Sequence, residues 1–258
     1  METVIVAVLA GLLAGFGTGF AGLSAAVFIA PMLITFLNVD SFSAIGIALA
    51  SDVLASAISA LTYRHHKNTD LKSCRLLLLA VLLSAIIGTM VSHVFTAITI
   101  GESIMGWWLV LATLALGLKL LFFPSKTEKK RKNIPGKRKR IVMLLGGAYI
   151  GFVCGFQGTG GGMMLLFVLN VLLGLDFKKA VGSSVCIMTF TALIGAVSHF
   201  SIRGLPDTKL LLLCVLFTLA GAEAAAVIAN NIKALTLKRL TGGMMTAAGI
   251  AMAVSKFI

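Results

Sequence analysis

The sequence is poor in the residues that build metal and redox centres. It has four cysteines and four histidines among 258 residues, and the cysteines show neither metal-type nor redox-type spacing. Each cysteine lies in or beside an apolar run, where a thiol behaves as a small hydrophobic group. Because the histidines have no convergent carboxylate or cysteine partner, we predict no metal site and no cofactor. The cysteines are Cys74, Cys154, Cys186 and Cys214.

Motifs for nucleotide binding and covalent catalysis are missing as well. The chain contains no G-x-x-x-x-G-K-[ST] run, so we do not expect it to hydrolyse a nucleotide itself. Ser183 and Ser184 lack a nearby histidine, which a nucleophilic serine would need as a base. The N-terminal residues include no basic segment of the kind that opens a removable signal peptide. We therefore predict that the protein is not an enzyme and keeps its first hydrophobic segment.

Apolar residues dominate what is present. The chain is 59% hydrophobic and its mean hydropathy is +1.04. Its apolar runs exceed the ~20 residues that an α-helix needs to cross ~30 Å of hydrocarbon. These runs do not alternate as the strands of a membrane barrel would, so the spanning elements should be helices. The predicted fold class is an all-α polytopic membrane protein.

Basic residues are concentrated in one polar segment. The formal net charge is +13, and nine of the 22 lysines and arginines lie between Lys126 and Arg140. The positive-inside rule places such a segment in the cytoplasm, where it can also touch anionic lipid. We predict a multi-pass protein of the bacterial cytoplasmic membrane with no nucleic-acid partner. Its divisions are a first membrane repeat (1–123), a basic cytoplasmic linker (124–140) and a second membrane repeat (141–258).

The two membrane halves resemble each other in sequence. The pattern Gly-Phe-x-x-Gly-Phe-x-Gly occurs at residues 15–22 and again at 151–158. The same offset of 136 residues, without a gap, places Asp40 on Asp176 and Gly46 on Gly182. Two corresponding apolar segments that are each interrupted by glycines indicate the binding site of a transporter built from repeats.

The distribution of basic links predicts that the repeats are inverted. Each half contains five hydrophobic elements, and because five is odd the second half starts on the opposite membrane face. We predict that each repeat is a glycine-broken helix hairpin followed by three transmembrane helices. The hairpins are either re-entrant or fully spanning. This architecture supports alternating access around a site at the membrane midplane.

The glycine turns are candidates for an anion site. Glycines break the helix, and the helix that follows presents unpaired N–H groups at the positive end of its dipole. The alternative is that these glycines serve close helix packing, because small-x-x-x-small spacing such as Gly15/Gly19 is a packing motif. The residues predicted to bind the anion at midplane helix N-termini are Gly17, Thr18, Gly19, Phe20, Gly22 and Ser24 in the first turn, and Gly155, Phe156, Gln157, Gly158, Thr159, Gly160 and Gly161 in the second.

Four ionisable residues in or near apolar runs are candidates for coupling or gating. Asp52 lies midway along an apolar segment and could carry a coupling proton, although a neutral, hydrogen-bonded Asp52 is the alternative. Glu223 lies among alanines, where a helix-contact hydrogen bond is the alternative to proton coupling. His199 and Arg203 lie near the end of a predicted helix and could line a vestibule, or Arg203 could extend to the interface.

The paired glycine turns, joined by a basic loop, resemble the sulfite exporter TauE/SafE family over nearly the whole chain. Gly158-Thr159-Gly160-Gly161-Gly162 keeps the family's glycine run, and the first copy retains Pro31 of the following helix. Where that proline would fall in the second copy, the sequence reads Phe167-Val168-Leu169. The resemblance implies a membrane transporter of sulfite, of sulfonates such as sulfoacetate, or of related sulfur anions.

The leading hypothesis is therefore a secondary transporter that exports a small sulfur-containing anion by alternating access. Its partners would be the sulfur oxyanion or sulfonate, membrane lipid and a second copy of the chain in a homodimer. Two alternatives stay open. One is an importer of thiosulfate-like or other small anions, and the other is a non-transport membrane scaffold.

Overall fold

The computed structural model describes residues 2–94, 111, 114–122, 136–157 and 160–254, without the side chains of 92–94, 157, 202, 203, 251 and 252. All regular structure in these residues is helical, which confirms the all-α prediction. The helices are α1 (Glu2–Ala21), α2 (Ala26–Leu37), α3 (Ser41–His65), α4 (Leu71–Val94), α5 (114–122), α6 (Gly136–Gln157), α7 (Gly162–Phe167, continued by a π-helical turn Val168–Leu172), α8 (Phe177–Arg203), α9 (Thr208–Asn231) and α10 (Ala234–Val254).

Six helices in the described part are long and apolar enough to cross a membrane, namely α1, α3, α4, α6, α8 and α9. By contrast, α2 has 12 residues, so at ~1.5 Å per residue it covers little more than half of a ~30 Å hydrocarbon layer. The α7 helix with its π turn is similarly short. Each glycine hairpin thus joins one long helix to one arm that is too short to cross alone.

Helix boundaries recur with the offset seen in the sequence. Ala21 ends α1 and Gln157 ends α6, and the two positions lie 136 apart. The same separation relates the starts of α2 and α7, at Ala26 and Gly162, and of α3 and α8, at Ser41 and Phe177. The repeated glycine turn therefore gives the same interruption of the helix in both halves.

Glycines let two pairs of helices approach at backbone distance. Gly11, Gly15 and Gly19 of α1 face α9, and Gly147, Gly151 and Gly155 face α4 from α6. A Cβ on Gly15 would meet the backbone of Thr218 and Gly221. Contacts advance in the same direction along both partners, so the helices within each pair are parallel. These contacts are the small-residue packing expected between membrane helices.

Corresponding helices of the two repeats pack against each other in opposite directions. Near its start α3 places Gly46 against His199 and Phe200, at the far end of α8, whereas Tyr63 at its end lies against Gly182 near the start of α8. Helices α5 and α10 are also antiparallel, because Gly117 lies against Gly242 and Thr246 while Leu114 lies against Gly249.

Helix α6 begins inside the segment 124–140 that the sequence analysis assigns to the basic linker. Helix α6 begins at Gly136, directly after Pro135, so Lys137, Arg138, Lys139 and Arg140 lie in its first turns. Lysine and arginine are good helix formers, so they are readily accommodated in the first turns of this helix. Residues 123–135 lie outside the described part of the chain.

Candidate functional site

Each glycine turn contains a backbone conformation that glycine alone adopts readily. After α1 ends at Ala21, Gly22 has φ +64°, and before α7 begins, Gly161 has φ +68°. Side chains with a Cβ avoid this left-handed region. The turns can therefore redirect the chain within a few residues, so the short helices α2 and α7 both begin inside the protein.

The two turns meet. A Cβ on Gly162, the first residue of α7, would collide with the carbonyl oxygen of Gly22. Beside this contact, the Gly160 N–H donates a hydrogen bond of 3.3 Å to Ser24 Oγ. Ser24 and Gly160 are 136 positions apart, so equivalent positions of the two repeats are in direct contact.

Asp52 lies where the turns meet and is fully buried. Its carboxylate accepts a 2.6 Å hydrogen bond from Ser24 Oγ and a 2.9 Å bond from the Ala25 N–H. The carboxylate therefore occupies the N-terminus of α2, where the helix dipole favours negative charge. Thr18 Oγ1 is 3.4 Å away, but this hydroxyl has closer acceptors in the carbonyl oxygens of Leu23 and Ala14, at 2.9 and 3.1 Å.

Neutral groups alone donate hydrogen bonds to this carboxylate within the described part of the chain. A charge inside the membrane is costly unless it is paired, and such residues are functional candidates by default. Asp52 therefore combines an acidic group, deep burial and a position between the repeats.

The second repeat contributes backbone atoms, a threonine hydroxyl and apolar side-chain atoms at the same place. The Gly160 carbonyl accepts a 2.9 Å hydrogen bond from Thr191 Oγ1. A Cβ on Gly160 would lie 2.8 Å from Asp52 Oδ2 and 3.0 Å from Met188 Cγ. Met188 is the counterpart of Asp52 at the offset of 136, so the site is asymmetric in its chemistry.

Sequence reasoning missed Thr191 as a residue of this site. The available signal was its place on α8 one turn beyond Met188, the counterpart of Asp52. A hydroxyl near that position in a largely apolar span was a detectable pattern.

The predicted first-turn residues divide between the contact and its surroundings. Thr18, Gly22 and Ser24 lie at the contact, as described above. Gly19 faces α9, and a Cβ on Gly17 would lie 2.8 Å from the Phe28 ring. Phe20 stacks on Phe16 with ring centroids 6.1 Å apart.

In the second turn, Gly160 lies at the contact, whereas a Cβ on Gly161 would collide with Cys154 Sγ of α6. Gly155 faces α4, and Phe156 stacks on Phe152 with centroids 6.0 Å apart. Gln157 ends α6, and its side chain lies outside the described part. The same holds for Gly158 and Thr159 as whole residues.

Of the four coupling or gating candidates, the structure brings Asp52 to the turns. Glu223 is exposed on α9. His199 stacks on Phe42 with ring centroids 4.3 Å apart, and both rings line a small cavity at the end of α8. Arg203 is the last residue of α8, and its side chain is not described. Within the described residues, no three histidine, cysteine, aspartate or glutamate side chains lie close enough together to hold a metal ion.

Polar contacts also cluster toward the end of α3, and the bond between Asn68 and Asn230 joins the two repeats. Tyr63 Oη donates a 3.0 Å hydrogen bond to the Gly19 carbonyl. Asn68 Nδ2 donates to Asn230 Oδ1 at 2.6 Å, and Lys178 Nζ donates to the Asn230 carbonyl at 2.7 Å. These bonds tie α3 and α8 to α1 and to the end of α9.

Apolar spans and broken helices that meet inside the protein are features of multi-pass membrane transporters. The chain belongs to the sulfite exporter TauE/SafE family, whose sequence profile matches residues 7–252. Members of this family are membrane transporters and not enzymes. This confirms the predictions that the protein is a membrane transporter and that it is not an enzyme.

Three relatives from Bacillus subtilis (strain 168) carry names of the same kind. The probable membrane transporter protein YdhB is 32% identical over 118 residues, 46% of this chain and 46% of the relative, so that match spans less than half of either chain. YjnA, with the same description, is 22% identical over 69% of this chain and 72% of its own. YunE, also so described, is 27% identical over 77% of this chain and 78% of its own. No solved structure gives a significant match.

Proposed function

We propose that this protein is a secondary transporter that exports a small sulfur-containing anion, such as sulfite or an organosulfonate like sulfoacetate. The anion is held at the midplane N-terminus of α2, where the two glycine turns meet. Alternating access moves it across the bacterial cytoplasmic membrane. The family supports the class of cargo, since its description is that of a sulfite exporter.

The observation that carries the proposal is the contact between the turns. The Ala25 N–H, the Ser24 hydroxyl and the Gly160 N–H converge on a single buried spot. Backbone N–H groups at a helix N-terminus are ready donors for an oxyanion. The same spot lies between equivalent positions of the two repeats, where a relative movement of the repeats changes access from one side to the other.

The packing of corresponding helices supports an inverted repeat. A two-fold axis in the membrane plane requires equivalent helices to run in opposite directions, and α3 with α8 and α5 with α10 do so. We propose that the basic segment 124–140 lies in the cytoplasm. We also propose a homodimer, and Ala222, Ala225 and Ala226 of α9 are not available to its interface because they are buried within the protomer.

The membrane potential can supply the driving force for export. A potential that is negative inside drives an anion outward by ~2.3 kcal/mol per charge per 100 mV. Export of an anion that carries its charge across therefore needs no nucleotide.

Import of thiosulfate-like anions is the second candidate, and Asp52 is the observation that favours it. If a proton on this buried carboxylate accompanied the anion, an inward proton gradient would drive uptake. Export and import of the anion would thus use the same binding site and differ in the gradient that drives net transport.

Counterflow of labelled sulfite in proteoliposomes tests the proposal. Vesicles loaded with unlabelled sulfite should accumulate the label transiently, and external sulfoacetate or thiosulfate, but not chloride, should compete. The variant Gly160→Ala, which crowds Asp52 and Met188, should lose most of this activity. Its control is Gly146→Ala, where the nearest atom to a new Cβ is 3.5 Å away.

Imposing a membrane potential or a pH gradient then separates export from import. If no anion in the panel shows counterflow, the transport proposal is wrong and the scaffold alternative gains support. If Gly160→Ala transports as well as Gly146→Ala, the site lies elsewhere.

A further inference from the structure

We infer that the transported anion and the ionised Asp52 carboxylate exclude each other, so that the protein takes up a proton at Asp52 when it binds its anion. This inference rests on the proposed function and adds a coupling rule to it. The proton comes from water on the side from which the anion enters, and it converts the carboxylate into a neutral carboxylic acid.

The anion and the Asp52 carboxylate compete for the same hydrogen-bond donors. In the structure, Asp52 already occupies the N-terminus of α2 through Ser24 Oγ at 2.6 Å and the Ala25 N–H at 2.9 Å. An N–H group has one hydrogen to donate. A substrate oxyanion that binds the Ala25 N–H must therefore displace the carboxylate from it.

The bound oxyanion and the ionised Asp52 carboxylate also carry charges of the same sign. The Gly160 N–H reaches Ser24 Oγ, which itself donates to Asp52 Oδ2. Any oxyanion bound among these donors lies within a few ångströms of the carboxylate. Two negative charges at such a distance in a buried site disfavour the doubly charged state, and one of them takes up a proton. Protonation also turns Asp52 from an acceptor into a hydrogen-bond donor.

No other titratable side chain is among the contacts described for the Asp52 carboxylate. Of the elements packed against α3, α1 contributes the Thr18 hydroxyl, 3.4 Å from Asp52 Oδ1, and α8 contributes Met188, which lies beside Gly160 as Asp52 does. The lysines of α8 and α9 lie in the first turns of those helices. The other titratable or charged groups on these elements are Glu2 at the start of α1, Cys186, His199 and Arg203 on α8, and Cys214 and Glu223 on α9.

Proton uptake at Asp52 changes the net charge that each transport cycle carries across the membrane. If the proton leaves with the anion on the far side, each cycle carries one negative charge fewer than the free anion bears. A monoanion would then move without net charge, and the pH gradient would join the anion gradient in setting the direction. Proton uptake at Asp52 would thus influence whether the protein exports or imports its anion.

Anion binding to the purified full-length protein at several pH values tests the inference. Thiosulfate and methanesulfonate are suitable probes because their charge stays constant across the working range. For wild type, the Kd should rise with pH by up to about tenfold per pH unit, the slope for uptake of one proton. Binding in lightly buffered solution should also remove protons from the medium.

Asp52→Asn mimics the neutral acid and should bind at high pH as tightly as wild type binds at low pH, with less than about twofold variation across the range. The control Asp176→Asn changes an exposed carboxylate that pairs with Lys179, and it should keep the wild-type pH dependence. Should Asp52→Asn fail to fold, proton uptake by the wild type decides the matter by itself.

Three results would overturn the inference. These are a wild-type Kd that does not change with pH, binding without proton uptake, and a pH dependence that Asp52→Asn retains. In each case the anion still binds, so the proposed function stands. Failure of wild type and Asp52→Asn to bind either probe at any pH would instead overturn the proposed function, and the inference with it.

Discussion

Replacing Gly162 by alanine should force apart the two glycine turns. The new Cβ would collide with the Gly22 carbonyl oxygen and would lie 2.7 Å from Met188 Sδ. The thioether can move aside, because methionine is flexible. The carbonyl belongs to a turn whose Gly22 N–H and Leu23 N–H are bonded to Thr18 and Gly17 carbonyls, so relief requires the backbone to shift.

Overpacking a close contact of this kind costs about 1–3 kcal/mol. For a chain of this size each kcal/mol lowers the Tm by roughly 2–4 °C, so Gly162→Ala should melt about 2–12 °C below wild type. The control Gly146→Ala places a Cβ at ordinary van der Waals distance, 3.5 Å from Val168. Alanine is the better helix former by about 1 kcal/mol, so this control should melt at or above the wild-type temperature.

Thermal unfolding of the detergent-purified variants, followed by loss of the monodisperse chromatographic peak, measures the difference. Anion binding to the folded fraction of Gly162→Ala should also weaken, since the donors of the two turns no longer converge. Equal melting temperatures for Gly162→Ala and Gly146→Ala would refute the direct contact between the turns.

Three further predictions concern the packing around the site. Gly151→Ala places a Cβ against the Val81 carbonyl and Ser84 Oγ, so it should lower the Tm by several degrees relative to Gly146→Ala in the same melting assay. Tyr63→Phe removes the buried hydroxyl bonded to the Gly19 carbonyl and should cost about 1 kcal/mol, measured as a lower Tm. Thr191→Val keeps the shape but loses the bond to the Gly160 carbonyl. Proteoliposome assays should find its counterflow reduced severalfold with its Tm within a few degrees of wild type, and an unchanged rate would remove Thr191 from the site.

Much of the fold was predictable because the repeat is visible in the amino-acid sequence itself. The shared offset aligns helix boundaries as well as residues, so the break after Ala21 predicts the break after Gln157. Asp52 was identifiable because a charge in an apolar run is rare. Local periodicity thus predicts the helices, the turns and the unusual acid.

The contacts of the site were not predictable in the same way. Asp52 is hydrogen-bonded to Ala25 and Ser24, which lie 27 and 28 positions away in the sequence, and Gly160 is hydrogen-bonded to Ser24, 136 positions away. Such pairs depend on how helices pack, which hydrophobic periodicity does not encode. Glycine serves both close helix packing and ligand binding, because both need a position without a side chain. The sequence could therefore not distinguish Gly160 from Gly19 and Gly155, which face other helices.

Equilibrium binding of sulfite to purified wild type, Ser24→Ala and Ser201→Ala tests the central claim most directly. Ser24 links Asp52, Gly160 and α2, whereas Ser201 is exposed and bonds to its own helix. Loss of a hydrogen bond to a charged group costs about 1.5–3 kcal/mol, so Ser24→Ala should bind sulfite roughly 10- to 150-fold more weakly. Ser201→Ala should bind as wild type does. Equal affinity of folded Ser24→Ala and wild type would contradict an anion site at the meeting of the two turns.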